Sequence, residues 1–345
     1  MSCQAVLVLP GSAQSAALGE VEVGKPGPGQ VLARTLRVGI CGTDAEIDRG
    51  EYGEAPPGAV RLVLGHESLL RIEGTGQLAV GIVRRPCPEL CPNCASGRWD
   101  MCTTGDYSEH GIRRLDGFLR ERLVIAADGL VPVPDALEPV AVLVEPLSIV
   151  EKAIAEAWAI QARLKWAPKR ALVTGAGPVG LLAAYALRQR GLDVWVVDQR
   201  PPGSPKAEAV AAVGAHYADD IDKAGAAFDI AVEATGYAPL LFAASGLLAR
   251  NGVLALTGVT SGHHTVSVDA NALNADMVLE NQVIFGSVNA ARAHYEQAVA
   301  DLGDWVKRWP GATERLITAR HPLADFRAAL GKSPDDIKTV VEVGG

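Results

Sequence analysis

Arg170-Ala-Leu-Val-Thr-Gly175-Ala-Gly177-Pro-Val-Gly180 decides how the second half of this chain is read. Ala171 to Val173 is a short apolar run of strand type, and a helical pattern opens near Val179 and continues to Arg190. Between them, Gly175, Ala176, Gly177, Pro178, Val179 and Gly180 form a GxGxxG turn, and Asp198 closes the next strand, Asp193 to Val197. Glycine-rich turns are common, so the pattern alone is weak. A strand before it, a helix after it and an acidic residue one strand later are the context in which it binds a dinucleotide. Gly175 permits the tight turn, Gly177 admits the pyrophosphate to the backbone, and Gly180 allows close helix–sheet packing. Amides at the helix N-terminus meet the phosphate charge. Asp198 suits a ribose 2′-hydroxyl and repels a 2′-phosphate. Arg200, two residues on, pulls the other way. NAD is therefore favoured as cofactor, with NADP possible.

Outward from this motif the alternation continues. A helix near Ala207 to Val213, strand Asp229 to Val232, helix Ala238 to Ala249 and strand Gly252 to Leu256 predict an α/β fold with a doubly wound parallel sheet. The first 150 or so residues have a different texture, of short apolar runs broken by Gly and Pro. Val31 to Ile40 and Glu121-Arg-Leu-Val-Ile125 read as strands. From Ile149 a helical spacing of Ala153, Ile154 and Trp158 leads toward Pro168. After Asn289 the chain returns to amphipathic helices and a last strand, Thr339 to Val343. At 345 residues the chain exceeds one typical core.

Composition narrows the function class. With 48% hydrophobic residues, 21% charged residues and a net charge of −8, this is an ordinary globular chain without the basic footprint a nucleic acid partner needs. It has no apolar run long enough for a membrane span. Met1-Ser2-Cys3-Gln4 lacks the pattern of a secretory leader, so a reducing, cytoplasmic location is expected. The six cysteines then need a role other than disulfides. Four of them, Cys87, Cys91, Cys94 and Cys102, crowd one Pro-rich loop. Incidental thiols or a redox pair are alternatives, but four thiolates at short spacing suit a closed structural zinc site bracing a loop without its own core. A dispersed set, Cys41-Gly-Thr43-Asp44, Gly65-His66-Glu67 and Glu145-Pro146, contains the ligand types of an open catalytic zinc. Spacing alone does not decide whether these residues converge.

Taken together, Cys41-Gly-Thr-Asp, Gly65-His66-Glu67, the four-cysteine loop and the dinucleotide half resemble the zinc-dependent medium-chain alcohol dehydrogenases. Cys41 to Gly50, Leu62 to Glu67, Glu109-His-Gly-Ile112, Leu115-Asp-Gly-Phe118, Glu145-Pro-Leu-Ser148, Glu151-Lys152, Gly286-Ser-Val-Asn289 and Ile337-Lys338 are similar to the glucose dehydrogenase branch best known from archaea. The resemblance runs nearly end to end. It implies a GroES-like, mainly-β, zinc-binding catalytic domain at 1–153, a Rossmann domain at 154–289, and a segment at 290–345 returning to the catalytic domain. It implies that Cys41, His66, Glu67 and Glu145 hold a catalytic zinc, with Glu67 a ligand or a close neighbour. Thr43 takes part in proton exit, and Thr43, Glu109, Glu145 and Asn289 meet the sugar. The cofactor falls to Gly175 through Gly180, Asp198, Gln199, Arg200, Thr257, Gly258, Val259, Ser287, Val288, Asn289 and Lys338. The implied reaction is oxidation of a cyclic aldose at its anomeric carbon to a lactone, with hydride passing to NAD(P)+. Relatives commonly assemble as dimers or tetramers, so a homo-oligomer is expected by analogy.

Three departures stand out. Three residues separate Cys87 from Cys91 where the family usually has two, so the loop absorbs one residue or Cys87 is not a ligand. Val83 and Ile149 stand where some members carry a polar residue near the sugar, and fewer buried partners mean weaker discrimination among hydroxyl epimers. Competing expectations are a polyol or secondary-alcohol dehydrogenase on the same scaffold and a non-catalytic NAD(P)-binding protein. The latter would not need Cys41, His66, Glu67 and Glu145 together.

Overall fold

The computed structural model describes residues 1–259, 265–331 and 333–344. It divides into two compact units. The first comprises Met1–Ser148, Asn289–Asp304 and Ile317–Gly345; the second comprises Ile149–Val288 and Trp305–Leu316. The expected division at 153/154 and 289/290 differs by a few residues, and the tail is not one segment. Residues 305–316 belong with the second unit, where the Trp305 ring lies 5.4 Å from Tyr185 and Trp305 Nε1 donates to Gln189 Oε1 at 2.6 Å.

The second unit holds six parallel strands in the order His216–Ala218, Asp193–Val197, Arg170–Thr174, Phe228–Glu233, Leu248–Leu256, Val283–Gly286. The order reverses beside Arg170–Thr174, where doubly wound sheets bind their ligands. Leu172, Ala231 and Leu254 are buried in its core, as the uninterrupted apolar strands of a two-sided parallel sheet require. The helix read as Ala238 to Ala249 stops at Ser245, and its last residues join a longer strand, Leu248–Leu256. Gly246 caps that helix. Asn251, at φ 61°, lets the longer strand turn where a regular one would have begun.

The first unit is mainly β. Its largest sheet runs Leu130–Val133, Leu78–Gly81, Glu67–Ile72, Gln30–Ile40, Lys338–Glu342, Ile317–Pro322, and Arg122–Ala126 also pairs with Gln30–Ile40. Register matters more than order here. Gly39 lies opposite Glu67, and Ile40 lies opposite Thr339. Cys41, His66, Glu67 and Lys338 therefore arrive at the same end of three neighbouring strands although Lys338 is 271 residues from Glu67. Gly39 makes this possible, because a Cβ there would sit 2.1 Å from Glu67 Oε2.

Candidate active site

Cys41 ends the strand Gln30–Ile40 and caps the helix Gly42–Asp48. Its backbone N–H donates to Asp44 Oδ2 at 2.8 Å, which anchors the first turn. The other Asp44 oxygen, Oδ1, lies 3.2 Å from His66 Nδ1, an ion-pair distance without the alignment of a hydrogen bond. This contact leaves His66 Nε2 as the nitrogen available to a metal, the arrangement in which an outer carboxylate orients a ligating imidazole. Donor atoms of Cys41, His66 and Glu67 lie within 4.8 Å of one another. Thiolate, imidazole and carboxylate are the donor types of an open zinc site, so these residues fit that ion. Asp44 stood in the Cys41 motif, but only the register with His66 discloses its task.

The electrostatics follow from burial. Burial opposes charge on His66, yet the Asp44 carboxylate and the Cys41 thiol hold its pKa well above the ordinary value. Burial likewise works against a Cys41 thiolate, and His66 reverses it, holding the thiol below its usual range. Burial pushes Glu145 up to about 8; His66 pulls the other way, and Glu67 and Cys41 add to the rise. Glu145 starts the helix Val144–Gln161 and is buried near this cluster without belonging to the tight group of three. Lys338, expected at the cofactor, is buried at 1% exposure. Its Nζ donates to Glu67 Oε1 at 2.7 Å, to Oε2 at 2.6 Å and to Ile40 O at 3.2 Å. Glu67 therefore carries a matched charge into the cluster. Thr43 is half-buried in the helix that follows Cys41.

Glu109 and Asn289 are 180 residues apart, and Asn289 Nδ2 donates to Glu109 Oε1 at 2.7 Å. Asn289 holds φ at 63°, a left-handed conformation that Asn tolerates better than most residues. The four sulfurs of Cys87, Cys91, Cys94 and Cys102 also lie within 4.8 Å of one another. A tetrahedral zinc–thiolate site asks for sulfurs about 3.8 Å apart, so a small contraction suffices. The extra residue between Cys87 and Cys91 is taken up by Leu90 at φ 47°, with Leu90 N donating to Cys87 O at 3.0 Å. Backbone N–H groups at Thr103 and Cys94 hold the Cys91 thiol down to about 5, the direction that favours a metal-binding thiolate.

In the second unit the glycine turn behaves as its pattern requires. Gly175 sits at φ 94°, and a Cβ on Gly180 would fall 1.9 Å from Gly175 O. Gly177 caps the helix Pro178–Gln189, with open space where its Cβ would be. Ala176 is buried, and Pro178 and Val179 are half-buried. Asp198 Oδ2 accepts from Ala176 N at 2.8 Å, and Oδ1 accepts from Arg200 N at 3.1 Å; Gln199 between them is exposed. A residue missed in the sequence shapes the next turn. Glu233, buried at the end of its strand, accepts from Thr235 N at 2.7 Å and Gly236 N at 3.1 Å. Thr257 Oγ1 and Gly258 N both donate to Glu233 O, at 2.9 and 3.1 Å. Val259 and Val288 are exposed, and Ser287 is buried with no partner for its hydroxyl among the described residues.

Comparison with known proteins agrees with this geometry. Residues 27–135 match the alcohol dehydrogenase GroES-like domain, and residues 138–343 match the glucose dehydrogenase C-terminus. The chain belongs to the glucose dehydrogenase family of zinc-dependent medium-chain dehydrogenases. The family includes glucose 1-dehydrogenase of Methanocella arvoryzae, 40% identical over 99% of both chains, and glucose 1-dehydrogenase 2 of Vulcanisaeta moutnovskia, 43% identical over 99% of both. Among solved structures, glucose dehydrogenase of Haloferax mediterranei in complex with NADP, Zn and gluconolactone superposes with a TM-score of 0.91, at 32% identity and 99% coverage of each chain. This glucose dehydrogenase family member is thus an NAD(P)-dependent oxidoreductase, and the GroES-like and Rossmann halves read from its sequence are those of its family. No described helix is long and apolar enough to cross a membrane.

Proposed function

We propose that this protein oxidises a glucose-like cyclic aldose at C1 to the lactone, passing hydride to NAD(P)+. The convergence of Cys41, His66 and Glu67 within 4.8 Å, in the same unit as the Glu109–Asn289 pair, carries this reading. Cys41, His66 and a carboxylate from Glu67 or Glu145 would hold a zinc ion, which would supply Lewis-acid chemistry there, and a bound dinucleotide would supply the hydride acceptor. The protein's own part is orientation and proton traffic. Asp44 holds the His66 ring, Lys338 neutralises Glu67, and Glu145 adds a second buried carboxyl beside the cluster. Thr43 takes the departing hydroxyl proton outward. Glu109 and Asn289 orient the ring hydroxyls. The glycine turn and Asp198 hold the dinucleotide, with NAD favoured over NADP because Asp198 presents its carboxylate beside Ala176. Cys87, Cys91, Cys94 and Cys102 brace their loop through a second, structural zinc. The protein works in the cytoplasm as a homo-oligomer.

A panel of aldoses and polyols, run with NAD and NADP and with and without a chelator, tests this. Aldose oxidation lost on chelation and restored by zinc is expected. Chelator-insensitive turnover, or faster oxidation of polyols than of aldoses, would overturn it.

A further inference from the structure

Glu109 is held through one oxygen only. Oε1 accepts from Arg84 Nε at 3.0 Å and from Asn289 Nδ2 at 2.7 Å, and Arg84 Nη2 lies 3.0 Å from the same atom. Oε2 accepts no hydrogen bond from the described residues and is not sealed from solvent, although the Glu109 side chain is only 6% exposed. A carboxylate oxygen so placed needs a donor, because a poorly solvated charge without partners is costly.

Arg84 determines which oxygen this is. Its strand pairs antiparallel with Ser108–His110, with Arg84 opposite Glu109. The guanidinium lies 3.7 Å from the centre of the Tyr107 ring, and Nη1 donates to Asp100 O at 3.1 Å. A planar group fixed on one face by an aromatic ring and along two edges by acceptors has little freedom to turn. The Asp100 carbonyl belongs to the short helical turn Trp99–Met101, between Cys94 and Cys102. The neighbouring Arg85 guanidinium covers Trp99 of the same turn, 4.5 Å from the ring centre. Both arginines therefore grip the four-thiol loop, and one of them also grips Glu109.

We propose that Arg84 is a positioning residue for sugar recognition: held by the four-thiol loop, it turns Glu109 so that Oε2 is offered to a substrate hydroxyl. The inference rests on the reading of Glu109 as a sugar ligand. It gives the four-thiol loop a part in substrate affinity beyond bracing itself, with no part in the hydride step.

The test is a cycle of Arg84→Met, Glu109→Ala and the double variant, each assayed for KM of sugar and dinucleotide and for kcat. Calorimetric binding of gluconolactone to the zinc- and NAD+-loaded enzyme, a pair of ligands between which no hydride can pass, is the readout independent of turnover. Arg84→Met is expected to raise the sugar KM and the gluconolactone Kd about tenfold or more, with kcat within about threefold and dinucleotide KM unchanged. The double variant is expected to bind no more weakly than Glu109→Ala alone, since both changes remove one function. If Glu109→Ala weakens binding while folded Arg84→Met does not, or if the two effects multiply, the role assigned to Arg84 is overturned and the reading of Glu109 stands. If Glu109→Ala leaves the sugar KM unchanged, the reading of Glu109 itself falls. Should Arg84→Met not melt cooperatively, Arg84→Lys carries the same test, because it keeps the charge but loses the fork that fixes Glu109. Cys102→Ser, which loosens the loop, is expected to raise the sugar KM alone; an unchanged value in the folded variant overturns the part given to the loop.

Discussion

At the scale of single residues, two buried charges are the sharpest tests of the first unit. Lys338 and Glu67 are each 1% exposed and satisfy one another through both carboxylate oxygens. Removing one partner of such a pair leaves an uncompensated buried charge, which costs about 3–5 kcal/mol. Lys338→Met should therefore lower the urea unfolding free energy by about 3 kcal/mol, and adding Glu67→Gln should recover most of that loss. A Lys338→Met protein as stable as the parent would show that the pair is not closed in solution. His110 behaves in the opposite sense. Burial, with Arg120 and Arg85 adding to it against the hydrogen bond to Asp116 O, pushes its pKa down to about 3 from the ordinary 6.5. The folded state thus holds His110 neutral. Its stabilising share is complete above pH 6.5 and is lost as pH falls from there toward 3, amounting to about 5 kcal/mol at the low end. His110→Gln should flatten the dependence of unfolding free energy on pH between 6.5 and 3 by about one proton. An identical slope in parent and variant would refute it.

At the scale of elements, the four-cysteine loop is the segment most dependent on a ligand. Its buried interior is Cys87, Cys91 and Cys94, with Trp99 and Cys102 packed against them, which is too little apolar surface to hold a loop in shape. Cys87→Ser should reduce bound zinc, measured by plasma emission, from two per chain toward one and open the loop to proteolysis; two tightly held zincs in Cys87→Ser would remove Cys87 from the ligand set. What could be read from sequence at this scale depended on locality. The strand–turn–helix around Gly175 and the crowding of cysteines are local patterns, legible without tertiary information. The tasks of Asp44 and Arg84 were not, because each is created by strand register, which brings His66 to Asp44 and Glu109 to Arg84. The helix Ala270–Leu279 escaped for a different reason. None of its residues is buried, so it has no apolar stripe for a periodicity argument to find. The pairing of Lys338 with Glu67 was hidden for the same reason as the task of Asp44, since only the register of Thr339 with Ile40 sets the two side chains together.

At the scale of the whole molecule, that same helix bears on assembly. Met277, Val278 and Leu279 are 37%, 64% and 71% exposed, and they lead into Val283–Gly286, the edge strand of the parallel sheet. This strand carries Val, Ile and Phe with no Lys or Pro to discourage pairing. Soluble chains protect such edges with charge, with a covering element or with another strand. A second copy related by a two-fold axis offers the same strand and the same apolar helix end, which makes the surface self-complementary. If the protein is a homo-oligomer, sedimentation velocity at micromolar concentration should give a mass at least twice that of the 36.1 kDa chain. Leu279→Lys should then shift the population toward the single-chain mass while leaving the melting of the dissociated chain intact, since this side chain has little packing of its own to lose. A parent that sediments as one chain would end the homo-oligomer reading. An oligomer indifferent to Leu279→Lys would move the interface elsewhere, and the exposed helix end and open strand edge would then need a different cover.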